Sequence, residues 1–211
     1  MSRRTVVHLL RHGEVHNPEG VLYGRLPGYH LSEDGHRMAV AAAEAVRGRD
    51  IAEVVSSPLE RAQQTATPVA EAHGLPIGTD DRLLESTNHF EGKTFGVGDG
   101  ALKHPSNWPF LINPFQPSWG EPYHVVAARM LAVVREVRDR VTGHEAVCVS
   151  HQLPIWTLRR HVEGRPLWHR PDRRLCGLAS LTSLVFDDDR LVRVDYSEPA
   201  GAASRRPGFG A

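Results

Sequence analysis

The chain has 211 residues, which is enough for one α/β domain with a sizeable core, and its 25 basic and 25 acidic side chains balance. This balance, and a sequence without any basic stripe interleaved with aromatic residues, argue against nucleic acid and anionic membranes as partners. Two cysteines, Cys148 and Cys176, are too few for a disulfide framework and do not alternate with the 13 histidines at zinc-finger spacings, so we expect a reducing compartment.

The first predicted element is a strand from Thr5 to Leu10, where β-branched and apolar residues follow one another. A strand of this kind is buried on both faces, as parallel sheets require. The apolar run is shorter than the core of a signal peptide and much shorter than a membrane span. We therefore expect a cytoplasmic protein.

Two helices and a strand are predicted next. An alanine-rich segment forms a helix with Ser32 as N-cap and Gly48 as C-cap, and Ile51 to Val55 forms a strand. In Ser57-Pro58-Leu59-Glu60 a serine, a proline and a glutamate match the N-cap, first and third positions of a capped helix. This second helix should end near Gly74.

An irregular insertion is predicted at about residues 86–122, after a short strand near residues 76–79. Bulky aromatic residues occur in it among prolines and glycines, and they include Trp108, Phe110, Phe115 and Trp119. Packed aromatic residues of this kind indicate a structured insertion rather than a flexible linker.

The C-terminal part again alternates between helices and strands. The predicted elements are a helix over 125–141, a strand over 145–150, a helix over 154–162 and two strands over 178–186 and 191–196. Residues 198–211 are rich in small residues, arginine and proline, so we expect a disordered tail. Residues 1–197 should then form a single domain, a three-layer α/β/α sandwich around a mostly parallel sheet.

Two of the predicted strands end in histidine, at His12 and at His151. Ligands of such sheets bind outside the carboxyl ends of the strands. Arg11 precedes the first histidine and Arg61 lies in the first turns of the second helix, so two imidazoles and two guanidiniums converge if these strands are neighbours. Arginine binds phosphate oxygens bidentately, and a neutral imidazole can attack phosphorus to form a phosphohistidine that water later cleaves.

Four segments follow one another between Thr5 and Val162. They are Arg11-His12-Gly13-Glu14, Ser57 to Ala66, Leu84-Glu85 and Val149-Ser150-His151. Together they resemble the successive motifs of the histidine phosphatase superfamily, which has the phosphoglycerate mutase-like fold. A single motif of this set would be weak, but four in the same order are highly specific.

The resemblance implies a role for each matching residue. His12 corresponds to the phosphorylated nucleophile, and Arg11, Arg61 and His151 correspond to residues that hold the phosphoryl group. Glu85 corresponds to the proton donor to the leaving oxygen. A carboxyl group can act as an acid near neutral pH if desolvation or a neighbouring phosphate raises its pKa.

The sequence departs from the family pattern in the wall of the expected pocket. Asn17 lies one residue closer to the nucleophile than the usual phosphate-binding asparagine, and Tyr23 stands where a polar amide is common. The segment after Glu85 is shorter than usual, so Glu91 remains an alternative proton donor. With these departures, the predicted substrate-binding set is Arg11, Asn17, Tyr23, Arg61, His151 and Gln152.

Histidines also recur at every fourth residue, at His8, His12 and His16. On a helix this spacing could bind zinc. On a strand, with a rise of roughly 3.3 Å per residue, successive members lie roughly 13 Å apart, too far for one metal ion. We therefore expect no metal and no cofactor, and we interpret His8 as a core histidine whose hydrogen bonds are satisfied.

The predicted function is that of a phosphoric monoester hydrolase acting on a small phosphorylated metabolite through phospho-His12. A cofactor-dependent phosphoglycerate mutase is an alternative, although Lys93 and Lys103 are the insertion's only lysines, and mutases resembling this chain carry more basic residues. A second alternative is a phosphate-binding or interaction module without turnover. The strands of residues 178–196 would close the sheet or supply an edge for a homodimer.

Overall fold

The computed structural model of this chain describes residues 3–93, 120–169 and 173–205. Its elements, in chain order, are β1 (Arg4–Arg11), α1 (Glu33–Val46), β2 (Ile51–Ser56), α2 (Glu60–His73), β3 (Ile77–Thr79), a 3₁₀ helix (Asp81–Leu83), α3 (Tyr123–Arg140), β4 (Glu145–Ser150), α4 (Gln152–Val162), β5 (Leu181–Asp187), β6 (Arg190–Ser197) and a second 3₁₀ helix (Gly201–Arg205).

The strands form one sheet in the order β3-β2-β4-β1-β5-β6. The first four in this order pair in parallel, whereas β5 runs antiparallel to β1 and β6 antiparallel to β5. In the central pair Arg11 of β1 lies opposite Ser150 of β4, so the two strands end at the same edge of the sheet. The residues that follow them, His12 and His151, are therefore brought to one point.

Helices cover both faces of this sheet because the side chains of each strand alternate between them. Val7 and Leu9 of β1 share a buried cluster with Cys148 of β4 and the apolar residues of α3 and α4. Leu10 of β1 and Val149 of β4 belong to a second cluster, which includes α1 and α2. This arrangement confirms the predicted three-layer α/β/α sandwich around a mostly parallel sheet.

Helix α2 begins later than the sequence pattern predicts. Its N-cap is Leu59, which makes no side-chain capping bond, and the Ser57 hydroxyl lies 3.5 Å from the Leu59 nitrogen. The prediction that Ser57 caps this helix is wrong, because the hydroxyl instead lies 2.9 Å from a ring nitrogen of His151 on the neighbouring chain segment. The other end agrees with the prediction, since Gly74 ends the helix with a φ of 65°.

Other predicted boundaries shift by a few residues. Ser32 caps α1 as predicted, by accepting a hydrogen bond from the Gly35 nitrogen. Helix α4 begins at Gln152, before Pro154, because the first N–H groups of a helix have no intrahelical acceptor and a proline there costs little. Residues 178–180 form a turn with Ala179 at a φ of 49°, so β5 starts after them.

Part of the segment that we expected to be disordered is ordered. Residues 201–205 form a short 3₁₀ helix, and Ala200 and Ala203 pack against the cluster that contains α1 and α2. The expectation for 198–211 is therefore corrected for 198–205, because small apolar side chains reach the core. Residues 206–211 lie outside the described residues, as do residues 94–119 of the predicted insertion and the four aromatic residues named in it.

Within its described ranges the chain contains no helix that is long and apolar enough to cross a membrane.

Candidate active site

The two histidines that end β1 and β4 lie side by side. The ring centroids of His12 and His151 are 5.1 Å apart, and both side chains are fully buried. The backbone fixes this proximity, because the His12 nitrogen donates to the Ser150 carbonyl at 3.1 Å. The structure thus brings together two residues that are 139 positions apart in the sequence.

The hydrogen bonds of His12 determine which ring nitrogen is available for chemistry. Its Nδ1 lies 2.7 Å from the Gly13 carbonyl oxygen, and a carbonyl can only accept, so Nδ1 carries the hydrogen. Nε2 is left with its lone pair and has no hydrogen-bond partner among the described residues. Burial, followed by the charges of Arg61 and Arg11, lowers the pKa of His12 well below its usual value. The ring is therefore neutral at physiological pH and keeps a free lone pair on Nε2.

The loop after His12 approaches helix α1 so closely that only glycine fits. A Cβ on Gly13 would lie 2.5 Å from the Gly35 carbonyl oxygen. The Gly13 nitrogen also donates to the hydroxyl of Thr65 on α2 at 3.1 Å. The position of His12 is thus fixed by both helices on that face of the sheet.

Two buried guanidiniums flank the histidines. Arg11 uses Nη1 to bind the Cys176 carbonyl at 2.7 Å, and Arg61 uses Nη2 to bind the Gly24 carbonyl. Nε and Nη2 of Arg11, and Nε and Nη1 of Arg61, have no partner within the described ranges. Buried charges of this kind are costly unless an anion compensates them, so the free N–H groups of the pair are suited to an anion.

The Ser57 hydroxyl lies 2.9 Å from Nε2 of His151, a contact that the sequence pattern did not predict. Nδ1 of His151 has no partner in the described part of the chain. Burial first, and then Arg61, lower the pKa of His151 well below its usual value. The sequence signal for Ser57 was its place directly after a strand, at the same sheet edge as the histidines.

One carboxyl oxygen of Glu85 is bound to the backbone, and the other is left free by the described residues. Oε1 accepts a hydrogen bond from the Ser86 nitrogen at 2.8 Å, whereas Oε2 is buried and has no partner within 3–93, 120–169 and 173–205. Burial raises the pKa of Glu85, although the charges of Arg174, Arg61 and Arg11 act in the opposite direction. A raised pKa is what a general acid near neutral pH requires.

The alternative acid, Glu91, is engaged in a turn. Its Oε1 accepts a hydrogen bond from the Asn88 nitrogen at 3.2 Å. The side chain also packs against Gly24 so tightly that a Cβ there would lie 2.3 Å from the same oxygen. These contacts favour Glu85 as the acid and give Glu91 a structural role.

Three further residues of the predicted substrate-binding set contact protein groups around the site. Tyr23 is buried with its ring 4.7 Å from the Arg61 guanidinium carbon. The Asn17 amide bonds to the backbone of Val21 with both of its polar atoms, at 2.8 and 3.0 Å, and so shapes the loop over residues 17–21. Gln152 donates to the Cys176 carbonyl at 3.3 Å, the same oxygen that binds Arg11.

A small cavity of about 70 Å³ adjoins Glu85. Leu22, Tyr123, Leu153 and Arg174 are among its lining residues. Arg174 was not predicted from the sequence, because it belongs to an ordinary basic pair, Arg173-Arg174, in a segment without a motif. The described residues contain no group of three or more side chains that could hold a metal ion.

Comparisons with known proteins agree with this geometry. The family model of the histidine phosphatase superfamily (branch 1) matches residues 7–198. An uncharacterized protein of Mycobacterium tuberculosis (strain ATCC 25618 / H37Rv) is 58% identical over 200 residues, which cover 95% of this chain and 99% of the relative. A probable phosphoglycerate mutase of Yersinia pestis (strain Pestoides F) is 30% identical over 94% of this chain and 88% of its own length.

Solved structures show the same likeness. A mycobacterial glucosyl-3-phosphoglycerate phosphatase superposes with a TM-score of 0.73 at 30% identity, over 94% of this chain and 99% of that one. A Bacillus stearothermophilus protein, YhfR, superposes with a TM-score of 0.75 at 28% identity, over 92% and 99% of the two chains. This chain therefore belongs to the histidine phosphatase superfamily.

Proposed function

We propose that this protein is a phosphatase that hydrolyses a small phosphorylated metabolite through a phosphohistidine formed on His12. The observation that carries the proposal is a shared deficit of hydrogen bonds. Each of the buried side chains around the paired rings keeps at least one polar atom without a partner among the described residues, and these side chains are Arg11, His12, Arg61, Glu85 and His151. A phosphoryl group would satisfy this set, because its oxygens accept hydrogen bonds and its phosphorus accepts a nucleophile.

The first step uses His12 and Glu85. The Nε2 lone pair attacks phosphorus, so that a P–N bond forms while the ester P–O bond breaks. The leaving oxygen takes the proton of the Glu85 carboxyl group. The hydrogen bond from Nδ1 to the Gly13 carbonyl holds the attacking ring in its neutral tautomer.

The second step returns the enzyme to its starting state. A water molecule attacks the phosphorus of phospho-His12 and gives its proton to the Glu85 carboxylate. The P–N bond breaks and inorganic phosphate leaves. Glu85 thus acts as the acid in one step and the base in the other.

Arg11, Arg61 and His151 hold the transferring group through both steps. The two guanidiniums neutralise the charge on the phosphoryl oxygens, and their free N–H groups point to no other described acceptor. Burial keeps His151 neutral without a ligand. A bound dianion would raise its pKa again, so that a protonated ring could donate to an oxygen of the phosphoryl group.

A phosphoglycerate mutase is the second candidate, because a relative with 30% identity is named as a probable enzyme of that kind. It would form the same phosphohistidine and return the phosphoryl group to another hydroxyl instead of water. The names of the superposed structures also include a phosphatase. The phosphatase is our first candidate because Lys93 and Lys103 are the insertion's only lysines, whereas mutases resembling this chain carry more basic residues.

The experiment compares the two outcomes directly. Purified protein is incubated with a panel of phosphate monoesters and inorganic phosphate is measured, beside an isomerisation assay with 3-phosphoglycerate and its bisphosphate primer. Release of phosphate without isomerisation supports the proposal. Isomerisation without net release would support the mutase, and binding without either would indicate a module that holds phosphate only.

A further inference from the structure

Arg174 lies at the side of the site where the leaving group would be. It lines the cavity of about 70 Å³ together with Glu85, Tyr123 and Leu153. Because Glu85 is the proposed proton donor to the leaving oxygen, the space beside it receives the remainder of the substrate. A cation in this wall therefore faces the leaving group and not the phosphoryl group.

The side chain of Arg174 is held in place by uncharged acceptors. Nε donates to Nε2 of His169 at 3.0 Å, and Nη1 donates to Oε1 of Gln152 at 3.4 Å. His169 can accept because its Nδ1 donates to the Leu167 carbonyl at 2.8 Å. Burial lowers the pKa of His169 to about 4, so the ring stays neutral at physiological pH. These contacts orient the guanidinium without neutralising it.

The carboxylates near this wall leave the positive charge of Arg174 in excess. Glu121, which also lines the cavity, is bound by Arg129 at 2.9 Å and by Arg25 at 3.4 Å. Glu85, buried in the same wall, attracts Arg174 but also Arg61 and Arg11, so one carboxyl group stands against three guanidiniums. Across the described residues no carboxylate forms an ion pair with Arg174. A half-buried guanidinium without an anion suggests a site that is completed by its ligand.

We infer that Arg174 binds a second anionic group, a carboxylate on the leaving group of the substrate. The inference rests on the proposed function, since it assigns the part of the ester that lies beyond Glu85. Arginine's planar fork matches a carboxylate bidentately. A carboxylate fits better than a second phosphate, because the cavity is small and the described part of its wall offers one guanidinium outside any ion pair, whereas the phosphoryl site offers both Arg11 and Arg61.

Hydrogen bonds connect Arg174 to Arg11, which gives a reason why the carboxylate and the phosphoryl group would be recognised together. Gln152 accepts from Arg174 and donates to the Cys176 carbonyl, which in turn accepts from Arg11. The two guanidiniums are thus fixed relative to one another by a chain of hydrogen bonds. Gln152 is accordingly a positioning residue between the two anion sites.

The test uses matched esters that differ only in charge. The acids are 3-(phosphonooxy)propanoate and its four- and five-carbon homologues, and each is paired with its primary amide. The protein should prefer the acid at the best chain length by about 10- to 100-fold in kcat/KM, the factor expected for one hydrogen-bonded charge. In Arg174→Gln this ratio should fall to nearly one, and in Arg174→Lys it should be intermediate.

Arg173→Gln is the matched control, because this exposed neighbour makes none of the contacts described for Arg174 and its loss should leave the acid-to-amide ratio unchanged. Thermal unfolding of each variant checks that it is folded. Equal rates for acids and amides in the parent, or a preference that survives in Arg174→Gln, would overturn the inference. If Arg174→Gln does not fold, Arg174→Lys takes its place, and an acid-to-amide ratio unchanged from the parent would overturn the inference.

A binding measurement separates this inference from the proposed function. The phosphonate 4-phosphonobutanoate and its amide have a P–C bond in place of the ester, so calorimetry can compare their Kd values without turnover. Tighter binding of the acid, lost in Arg174→Gln, supports the carboxylate site even if no ester is hydrolysed. Turnover of esters without any preference for the acid in either assay would refute the carboxylate site and leave the phosphatase proposal standing.

Discussion

Strand β1 and the residue directly after it supply two buried histidines that differ in their hydrogen bonds. At His8, in the middle of the strand, Nδ1 lies 2.7 Å from the Ser183 hydroxyl and Nε2 lies 2.8 Å from a Glu145 oxygen. At His12, after the end of the strand, one nitrogen binds a carbonyl and the other has no partner in the described ranges. The side chains are 2% and 0% exposed, so burial does not distinguish them.

The comparison shows that an unsatisfied polar atom is a better sign of function than burial. A buried imidazole with both nitrogens bonded contributes to stability, because breaking either bond leaves a buried group without a partner. An imidazole with a free lone pair costs stability and is retained at a place where a ligand completes it. The sequence prediction that His8 is a satisfied core histidine agrees with this geometry.

The largest effect on activity is expected from substitution of His12. His12→Ala should lower kcat for phosphate release by at least about a thousandfold, because the covalent route is lost with the nucleophile. The fold should remain intact, as judged by thermal unfolding. Mass spectrometry after acid-free quenching should detect a phosphorylated histidine in the parent and none in the variant. Activity within about tenfold of the parent would argue against covalent catalysis.

The next largest effect is expected at Glu85. Glu85→Gln should slow alkyl phosphates by about 10²- to 10⁴-fold and aryl phosphates much less, since a good leaving group needs little protonation. Glu91→Gln is the matched control, because Glu91 bonds a turn and should affect both classes of ester equally and weakly. Steady-state rates on both classes provide the measurement. Equal losses on alkyl and aryl esters in Glu85→Gln would assign the proton to another group.

His8 should give the opposite result to His12. His8→Ala removes bonds to Ser183 and Glu145 and should lower the free energy of unfolding by about 1–3 kcal/mol. The kcat of the folded fraction should stay within about twofold of the parent, since none of these contacts reaches the phosphoryl site. Urea denaturation and initial rates test the two halves of this prediction. A large loss of kcat with unchanged stability would mean that the comparison of the two histidines is wrong.

The smallest expected effect concerns pH. Burial lowers the pKa values of His12 and His151 below the unfolded value of about 6.5. The unfolded chain then binds more protons below that pH, so the free energy of unfolding should fall as the pH is lowered from about 6.5. Melting curves between pH 7.5 and 5.0 should show a weaker decline in a His12→Gln, His151→Gln double variant.

Inorganic phosphate should change how the stability of the parent depends on pH. A bound dianion lets the rings protonate at less cost, so millimolar phosphate should reduce the decline in the parent and have little effect on the double variant. Equal declines in both proteins, with and without phosphate, would show that other groups cause the acid sensitivity. His169, whose pKa burial lowers to about 4, is the first of these to examine.

Local patterns determined much of this protein. The apolar run before Arg11 specifies a buried strand, Ser32 and Gly74 punctuate two helices, and the order of the motifs identifies the family. These features follow from backbone preferences and side-chain periodicity over a few residues. They also gave the candidate nucleophile, His12, because a histidine directly after a buried parallel strand lies at the ligand-binding edge.

Tertiary structure decided the features that depend on partners distant in the chain. Ser57 fits a helix cap by its local pattern, and only the approach of His151 shows that its hydroxyl serves another purpose. Arg174 looks like any surface cation until the fold brings it into the cavity wall beside Glu85, where no ion pair with a described carboxylate holds it. Hydrogen bonds and charge compensation depend on distances across the fold, and the sequence does not contain those distances locally.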